Sequence, residues 1–442
     1  MKKFILGLCI LASLQSCKNS AEYKTYLHDP LLFSTTVHEL NDVVMGNNFP
    51  PMIAARNYAY AAIAAYEVMV VAHPDQYQSL AGQVHGLQAL PKAEVDQKID
   101  YELAALLAYM KVGESVTFPE GSLQKYKDSI LQVARDKGLP KDVEQASQRF
   151  ADSIGINIIR WSKKDNYLET RGAEKFTINE KDPSRWIPTP PMYASATEPH
   201  WMSIRPMVID SANLFAAPPP FKFNVTDKNS DYYKQVMAVK NAGDSLTDEQ
   251  KHIADFWDDN AFKMNVTGHV MFGSKKFSPS GHWMSVVGIA AKTAKADYAT
   301  TVYAFAKTGI ALFDAFIQCW SAKYTYNTIR PETVINKYFD ANWRPYLQTP
   351  SFPEYSCGHC TISASAAEAL TSVFGDKLAY TDSTELEFGI KSRSYKSFRD
   401  AANENIWGRF YGGIHYYPTN LVGHECGIKV GSYVVEKLKM KK

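Results

Sequence analysis

Three short clusters of the sequence carry cations and imidazoles that together could bind an anion. The first, "KYTYNTIRP", contains Lys323 and Arg330, and the second, "SCGHC", contains His359. The third, "GRFYGGIHYYP", contains Arg409 and His415. A buried ammonium group without a partner is very costly, so cations that face inward require an anion. Imidazole adds a group that can bind a metal or transfer a proton near neutral pH.

Helical periodicity indicates how the first two clusters are positioned. Apolar residues recur at helical spacing along residues 298–323 and place Lys323 on the buried face. Arg330 follows seven residues later, two turns on if the helix persists, and Pro331 is expected to end the segment. A lone lysine could instead extend from the helix end into solvent. "SCGHC" precedes a helical pattern, and a helix N-terminus favours an anion, although such junctions are common.

The elements that must hold these clusters are predicted to be helices, and the fold class is all-α. No alternating strands and no strand–helix–strand rhythm are found, and Thr247 with Gln250 forms a predicted capping pair. A Pro-rich stretch over 165–226 lacks periodicity, which is typical of an ordered loop that carries function or covers a surface. Helices are predicted over residues 51–71, 98–112, 121–137, 141–162, 229–241, 246–258, 281–297, 298–323, 361–374, 394–411 and 421–439.

The predicted organisation has three parts. Residues 1–17 form a signal peptide, and residues 18–226 form an N-terminal helical half that ends in the Pro-rich connecting segment. Residues 227–442 form a C-terminal helical bundle that contains all three clusters.

The first seventeen residues are typical of a bacterial lipoprotein signal. Lys2 and Lys3 precede a short apolar run, and "LQSC" ends at Cys17, the residue expected to be acylated after cleavage. The apolar run is too short to span a bilayer, so the anchor would be the lipid. The predicted location is the bacterial cell envelope, as a periplasmic or outer-membrane lipoprotein. A plain signal peptide with an incidental cysteine is the alternative.

Charge and cysteine content exclude two further classes of protein. Lys+Arg and Asp+Glu are nearly balanced, with a net charge of +2, so nothing predicts a nucleic-acid partner. The four cysteines that follow the signal region are too few for a disulfide framework in a chain of this length. The oligomeric state is left open.

The order and spacing of the three clusters resemble the vanadium-dependent haloperoxidases, which share a fold and site with the type 2 phosphatidic acid phosphatases. The matching pattern is Lys-x6-Arg-Pro, then Gly-His preceded by a small polar residue, then Arg-x5-His. The match extends over most of residues 250–435. Within the family, the sequence is similar to bacterial vanadium iodoperoxidase-like lipoproteins. The resemblance implies helical bundles, with the oxyanion site in the C-terminal one.

The resemblance implies a role for each residue of the clusters. Lys323, Arg330 and Arg409 would neutralise the oxygens of vanadate or phosphate. Gly358 and the residue before it, Cys357, would contact the same oxygens. His415 would be the axial group, either the ligand of vanadium or the nucleophile toward phosphorus, and His359 would be the acid–base partner at the ordinary pKa of imidazole.

Two aromatic residues favour the peroxidase branch of this superfamily. Trp320 and Phe352 stand where similar chloroperoxidases and bacterial iodoperoxidases have a Trp and a Phe lining the halide pocket. An apolar rim would suit a large, weakly hydrated anion, whereas core packing is the other interpretation of each aromatic. The substrates implied are hydrogen peroxide and a halide, iodide or bromide, with vanadate as the cofactor.

Three departures from the family pattern fall within the second and third clusters. Cys357 replaces the usual Ser, and a thiol is a poorer hydrogen-bond donor than a hydroxyl. Ser356 replaces a Pro, and Thr419 replaces the Asp that orients the axial imidazole. Thr419, Asn420 or a carboxylate from elsewhere could substitute. If this interpretation holds, Cys357→Ser preserves or raises activity.

A fourth motif, "PSGHW", matches the family's Pro-Ser-Gly-His more literally than "SCGHC" does. It precedes Lys323, so its order is wrong, and His282 is expected to be structural or to line the entrance. His282→Ala is therefore expected to leave activity largely standing, whereas His415→Ala abolishes it.

Four hypotheses about function follow. The favoured one is a vanadate-dependent haloperoxidase that produces hypohalous acid. The alternatives are an acid phosphatase that works through a phospho-histidine, and a non-catalytic lipoprotein that retains an oxyanion pocket. A disulfide isomerase built on Cys357-Gly-His-Cys360 is the fourth, but the βαβ context that this motif needs is missing.

Overall fold

The computed structural model of the chain describes residues 22–93, 98–261 and 263–442. The described part is mostly helical, which confirms the all-α class. The predicted signal peptide and Cys17 lie outside the described residues.

The elements that the structure describes are fifteen helices and four short strands. The helices are α1 (Glu22–Leu27), α2 (Pro30–Gly46), α3 (Pro51–Ala72), α4 (Tyr101–Val116), α5 (Gln124–Asp136), α6 (Lys141–Ser162), α7 (Tyr167–Arg171), α8 (Asp231–Gly243), α9 (Asp248–Phe256), α10 (Pro279–Ala294), α11 (Tyr298–Tyr326), α12 (Pro331–Tyr338), α13 (Gly358–Phe374), α14 (Phe398–Tyr411) and α15 (Tyr417–Lys437). The strands form two antiparallel hairpins, β1 (Lys263–Thr267) with β2 (Val270–Ser274) and β3 (Tyr380–Asp382) with β4 (Arg393–Tyr395). Short 3-10 helices occupy Trp201–Ser203 and Thr384–Phe388.

Helix α11 is the central element, and nearly every residue of it is buried. In the described part of the chain it alone is long and apolar enough to cross a membrane, but it is wholly buried inside the protein, as a core helix is. It packs against α3 from the N-terminal half and against α13 and α15 from the C-terminal half. Phe33 of α2 contacts Phe305 of α11 edge to face, with ring centroids 5.6 Å apart. The two halves therefore share one hydrophobic core.

Helices α13 and α15 lie unusually close together, and this contact places the two histidine-bearing segments side by side. A side chain at Gly427 would put its Cβ 2.1 Å from the backbone oxygen of Thr361. At Gly423 it would lie 2.7 Å from the backbone oxygen of Cys357. Only glycine permits such a close backbone approach, which fixes the start of α13 against the start of α15.

The predicted helices within residues 51–162 and 229–439 are confirmed, with shifts of a few residues at their ends. Thr247 and Gln250 form a complete capping box at the start of α9. Helices α1, α2, α7 and α12 and the two hairpins were not predicted from the sequence.

The expectation that Arg330 continues the helix of Lys323 is wrong. Helix α11 ends at Tyr326, and Asn327 adopts a left-handed conformation that closes it. Arg330 is instead the N-cap of α12, and Pro331 begins that helix because its fixed φ suits the first turn. The chain thus turns back between Lys323 and Arg330.

The Pro-rich segment 165–226 is held against the core by buried carboxylates. Asp314 of α11 accepts hydrogen bonds from the backbone N–H groups of Met207, Val208 and Ile209 at 2.7, 2.7 and 2.9 Å. Burial raises the pKa of Asp314 to about 6, and these three donors oppose the shift. Asp165 pairs with Arg56 of α3 at 2.7 Å. Apart from α7 and one 3-10 turn, the segment is an ordered loop, as predicted.

Candidate active site

Three buried cations act on one histidine. Lys323 lies in the last turn of α11, Arg330 at the start of α12 and Arg409 in the last turn of α14. Their exposed fractions are 0%, 0% and 2%. Burial lowers the pKa of His415 well below its usual range, and the charges of these three cations add to the effect. The structure thus brings together residues that are scattered over 93 positions, from 323 to 415.

Lys323 donates its hydrogen bonds to backbone carbonyl groups. Its Nζ lies 3.0 Å from the oxygen of Pro353, 3.2 Å from that of Glu354 and 2.6 Å from that of Ser356. Burial lowers its pKa to about 8. Lys323 therefore orders the loop before α13 and contributes positive charge to the site.

The two arginines each keep part of the guanidinium group without a partner. Arg330 donates from Nε to the Phe352 carbonyl at 2.9 Å and from Nη1 to the Ile414 carbonyl at 2.8 Å, but its Nη2 has none. Arg409 donates from Nη1 to the Trp257 carbonyl at 2.5 Å, and its Nε has no partner. Burial lowers the pKa of Arg330 to about 10. Buried donors of this kind call for an acceptor.

His415 is oriented by a carboxylate that the sequence analysis did not identify. Its Nδ1 lies 2.9 Å from Oε1 of Glu354, and both side chains are 2% exposed. Its Nε2 lies 3.2 Å from Nη1 of Arg330. Because Arg330 can only donate, Nε2 carries the lone pair and Nδ1 carries the proton that Glu354 accepts. Burial raises the pKa of Glu354 to about 7, and Arg330 and Lys323 oppose the shift.

Glu354 orients His415 although Thr419 stands where the family has the orienting Asp. The Thr419 hydroxyl donates to Oε2 of Glu354 at 3.3 Å, so Thr419 supports the carboxylate without replacing it. Asn420 points elsewhere and donates to the Ile406 carbonyl at 2.9 Å. The only sequence signal for Glu354 was an acidic residue between Pro353 and Tyr355, directly ahead of "SCGHC". A carboxylate that far from His415 along the chain follows no helical spacing.

His359 lies at the start of α13 with its side chain 11% exposed. Its pKa is well below the usual range because of burial and the nearby charge of Arg409, so the expectation of an ordinary pKa is wrong. Its Nε2 has no hydrogen-bond partner and lies 3.9 Å from Oδ2 of Asp259. The imidazole is therefore neutral near neutral pH, with a nitrogen free to accept or donate a proton.

Helix α13, predicted from residue 361, begins three residues earlier at Gly358, with Cys357 as the N-cap. The thiol of Cys357 accepts a hydrogen bond from the Cys360 backbone N–H at 3.2 Å. The first amides of a helix have no acceptor within the helix, and the dipole favours an anion there. A Cβ at Gly358 would lie 3.5 Å from the Trp320 ring and 3.8 Å from Cε of Lys323, so this turn faces the cationic site.

Trp320 and Phe352 form an aromatic wall beside the cations. Their ring centroids are 5.1 Å apart, and Nζ of Lys323 lies 4.9 Å from the centroid of Phe352. The Trp320 indole donates to the Thr197 carbonyl at 3.2 Å, which ties the wall to the Pro-rich segment. A cavity of about 350 Å³ opens here, lined by Phe352, His359 and Arg409 together with residues 189–197 of that segment.

A larger cavity of about 590 Å³ lies behind the site. It is lined by Pro218, Pro219 and Pro220 and by several tyrosines, and it reaches the far side of Glu354 and Thr419. The chemistry-bearing groups His359 and Arg409 face the smaller cavity, which is therefore the entrance to the site.

His282 is structural and does not line the entrance. It is completely buried near the start of α10, with Nδ1 2.8 Å from Asp259 and Nε2 2.9 Å from Asp382. Its ring stacks on Trp257 with centroids 4.8 Å apart. Although burial opposes protonation, the carboxylates of Asp259 and Asp382 raise its pKa well above the usual range.

Comparisons with known proteins identify several similar to this chain. The family model described as the VCPO second helical-bundle domain matches residues 303–441. A crystal structure titled as the first bacterial vanadium-dependent iodoperoxidase is 40% identical, covers 93% of this chain and 97% of its own, and has a TM-score of 0.87. Holo- and apo-type bacterial vanadium-dependent chloroperoxidase structures are 18% and 16% identical. Both alignments cover 88% of this chain. They cover 92% of the holo-type chain and 95% of the apo-type chain, with TM-scores of 0.66 and 0.63, and they support the fold. No curated protein matches the chain.

Proposed function

The chain belongs to the vanadium-dependent haloperoxidase family, and on that premise we propose that it oxidises iodide with hydrogen peroxide to hypoiodous acid, with bromide as a poorer substrate. The overall reaction consumes one peroxide, one halide and one proton and releases water and the hypohalous acid. The observation that carries the proposal is the buried His415, held by Glu354 with its lone pair beside three cations.

The residues of the site fit the vanadate that the family implies. Nη2 of Arg330 and Nε of Arg409 are buried donors without partners, and the first turn of α13 adds backbone N–H groups. His415 offers a neutral nitrogen, the form in which imidazole binds a metal. Arg330, Arg409, Cys357 and Gly358 would hold the oxygens, and His415 would be the ligand. Lys323 would contribute its positive charge, because its three donors are taken by carbonyl groups. Bound vanadate would supply Lewis acidity that polarises peroxide without a change of valence.

The protein's own groups hold and move protons around this centre. Glu354 accepts the proton of Nδ1 and thereby fixes the tautomer that leaves Nε2 of His415 free. His359 is neutral because burial and Arg409 depress its pKa, so it can take a proton from incoming peroxide. The same imidazolium can return that proton to the leaving oxygen. Lys323 and the arginines stabilise negative charge in a site largely closed to water.

The preference for iodide is supported by the aromatic wall and by one comparison. Trp320 and Phe352 present ring surface beside buried cations, an environment that suits a large, weakly hydrated anion. The structure that is 40% identical is titled an iodoperoxidase. Phe352 lines the entrance cavity, so a halide on its way to His359 passes this ring.

The test is an assay of metal-stripped protein to which vanadate is added back. Formation of triiodide from iodide and peroxide is expected to rise with vanadate and to saturate at one vanadate per chain. Bromide is expected to react more slowly. In parallel, hydrolysis of p-nitrophenyl phosphate by the vanadate-free protein tests for a phosphatase on the same scaffold.

The matched variants are His415→Ala and His424→Ala. His424 is a partly buried histidine of α15 that has no part in the site. His415→Ala is expected to abolish iodide oxidation, and His424→Ala to retain it. Phosphate-ester hydrolysis that depends on His415, without vanadate-dependent iodide oxidation, would overturn the proposal in favour of a phosphatase. Loss of both activities in the wild type would indicate a pocket without catalysis.

We further propose that the enzyme is anchored to the cell envelope through a lipid on Cys17, as the "LQSC" motif predicts. Labelling of expressing bacteria with a palmitate analogue is expected to mark the wild type and not Cys17→Ala. Equal labelling, or recovery of both proteins in the soluble fraction, would contradict this proposal.

A further inference from the structure

The dithiol at the start of α13 is a second chemical feature of the oxyanion pocket. Cys357 and Cys360 are both free, and both are completely buried, packed with Ile406. The Cys357 thiol accepts a hydrogen bond from the Cys360 backbone N–H at 3.2 Å. The two side chains therefore belong to one packed cluster, three residues apart at the start of the helix.

The ionised form of Cys357 is stabilised by the groups that bind the oxyanion. Burial alone would raise the pKa of this thiol, but the hydrogen bond from Cys360 and the charges of Arg409 and Lys323 lower it overall. Burial and the neighbouring Cys357 sulfur instead raise the pKa of Cys360. The pair thus contains one thiol prone to ionise and one that keeps its proton, as in dithiols that react stepwise.

The other two cysteines of the described chain lack these features. Burial raises the pKa of Cys319, whose thiol contacts the backbone oxygen of Ser356 at 3.6 Å. Burial also raises the pKa of Cys426 to about 11. Both should persist as unreactive thiols because the thiolate is the nucleophile.

We propose that Cys357 is a site of oxidation by hydrogen peroxide and that its sulfur then forms a disulfide with Cys360, unless an oxyanion fills the pocket. The inference rests on the proposed function for the supply of peroxide and for the position of the oxyanion. Peroxide enters by the cavity that His359 and Arg409 line, and Arg409 is also a cation that stabilises Cys357.

Oxidation of the pair takes two steps. The thiolate of Cys357 attacks one peroxide oxygen, an S–O bond forms as the O–O bond breaks, and the departing hydroxide takes up a proton to become water. The Cys360 sulfur, after losing its proton, then attacks the Cys357 sulfur, an S–S bond forms, and the S–O bond breaks to release a second water. Two thiols lose two electrons in all, and one peroxide is reduced to two waters.

Disulfide formation would remove the thiol that caps α13, so the oxidised protein should bind the cofactor poorly until it is reduced. A bound oxyanion should protect Cys357 because it occupies the cations and blocks the approach of peroxide.

The experiment treats vanadate-free protein with a small excess of hydrogen peroxide and measures intact mass, free thiols and disulfide-linked peptides. The expected product has lost about 2 Da and both thiols of the pair, reversibly with dithiothreitol. Orthovanadate or inorganic phosphate, added before peroxide, is expected to slow this loss at least several-fold. Unchanged thiols in the vanadate-free protein, or a disulfide between other cysteines, would overturn the inference.

Three variants keep the inference falsifiable if one of them folds poorly. Cys360→Ser cannot form the disulfide and is expected to gain about 16 Da, with a sulfenic acid at Cys357 that dimedone traps. Cys357→Ser is expected to retain the Cys360 thiol. Cys426→Ser is the matched control and is expected to lose about 2 Da like the wild type. A sulfenic acid on any other cysteine would contradict the assignment.

The outcome also separates this inference from the proposed function. Iodide oxidation with both thiols intact after peroxide treatment would defeat the inference alone. A disulfide that phosphate protects, in a protein without vanadate-dependent iodide oxidation, would defeat the proposed function and leave the peroxide-sensitive dithiol supported.

Discussion

In the described part of the chain, two Gly-His motifs lie at the starts of buried helices, and the pKa values of their imidazoles are shifted in opposite directions. Gly281-His282 lies in the first turn of α10, where Ser278 caps the helix by accepting the Gly281 backbone N–H. Gly358-His359 begins α13, where Cys357 caps the helix in the same way through Cys360. Both pairs lie at the start of a helix, Gly281-His282 as its third and fourth residues and Gly358-His359 as its first and second.

The residues that surround each imidazole come from distant parts of the chain and decide what it can do. Asp259 and Asp382 clamp both nitrogens of His282 and raise its pKa, so it serves as a buried cation. Burial and Arg409 lower the pKa of His359, and its Nε2 has no hydrogen-bond partner. The shared motif therefore indicates only proximity to a helix start, whereas the chemistry of each imidazole depends on the charges that the tertiary structure places around it.

The largest expected difference between the two motifs is in turnover. His359→Ala is expected to lower kcat for iodide by roughly 10²- to 10⁴-fold, because a general acid–base group is removed. The protein should remain folded, since Nε2 has no hydrogen-bond partner. Steady-state triiodide formation with saturating vanadate measures the effect. A reduction in kcat of less than about fivefold would show that His359 is not the general acid–base group.

The converse change at the other motif should act on stability. His282→Ala leaves Asp259 and Asp382 buried without their cation and is expected to cost about 3–5 kcal/mol of unfolding free energy. Turnover per folded molecule should be largely retained. Denaturant unfolding and an assay at low temperature separate the two quantities. Wild-type stability, or a turnover loss as large as that of His359→Ala, would break the comparison.

The two glycines offer a smaller contrast. A Cβ at Gly281 would lie 2.2 Å from Oδ1 of Asn41, which Tyr58 holds by a hydrogen bond, so Gly281→Ala is expected to cost about 1–3 kcal/mol through overpacking. A Cβ at Gly358 meets only ordinary contacts, the nearest 3.5 Å away on Trp320. Gly358→Ala should therefore unfold like the wild type while it binds vanadate more weakly. Equal stability losses in the two variants would contradict this account.

The pH dependence of stability should have opposite signs at the two histidines. The folded pKa of His282 is raised, so its contribution is complete below the unfolded pKa of about 6.5 and is lost as pH rises toward the folded value. The folded pKa of His359 is lowered, so stability is lost as pH falls below about 6.5, where the unfolded chain takes up the proton first. Each slope is at most about 1.4 kcal/mol per pH unit.

Unfolding free energies of the wild type, His282→Gln and His359→Gln across the pH range measure these slopes. The advantage of the wild type over His282→Gln should shrink toward alkaline pH. The unfolding free energy of the wild type, relative to that of His359→Gln, should fall toward acid pH. Slopes of the same sign would refute the opposite pKa shifts.

The smallest expected effect comes from giving the second motif the serine that the first one has. Cys357→Ser provides a stronger hydrogen-bond donor and is expected to tighten vanadate binding by about 2- to 10-fold, equivalent to about 0.5–1.5 kcal/mol. Activity at limiting vanadate should rise accordingly. A vanadate titration followed by iodide oxidation tests this, and weaker binding would show that the thiol is the better partner here.

Much of this arrangement could be predicted from local sequence. The all-α class and the family resemblance were confirmed, and the helix predicted from residue 361 begins three residues earlier, at Gly358. Apolar periodicity and cluster order are properties of the chain itself, so a single sequence carries them. The burial of Lys323 also followed from its place on the apolar stripe of α11.

What could not be predicted depends on contacts between distant segments. Glu354 reaches His415 from 61 residues away, so no spacing rule links them. The chain turns at Asn327, and Arg330 stands at the start of a new helix. The sequence did not predict this turn, because Pro331 fits a helix end and a helix start equally well. The pKa of His359 depends on burial and on Arg409, and both arise only in the folded chain.

The most direct test of the central claim is a crystal structure of the protein with orthovanadate, with vanadium located by its anomalous scattering. The account predicts one vanadium site per chain, bonded to Nε2 of His415 and surrounded by Lys323, Arg330 and Arg409. Vanadium at the start of α10 near His282, or none against His415 at saturating vanadate, would contradict it.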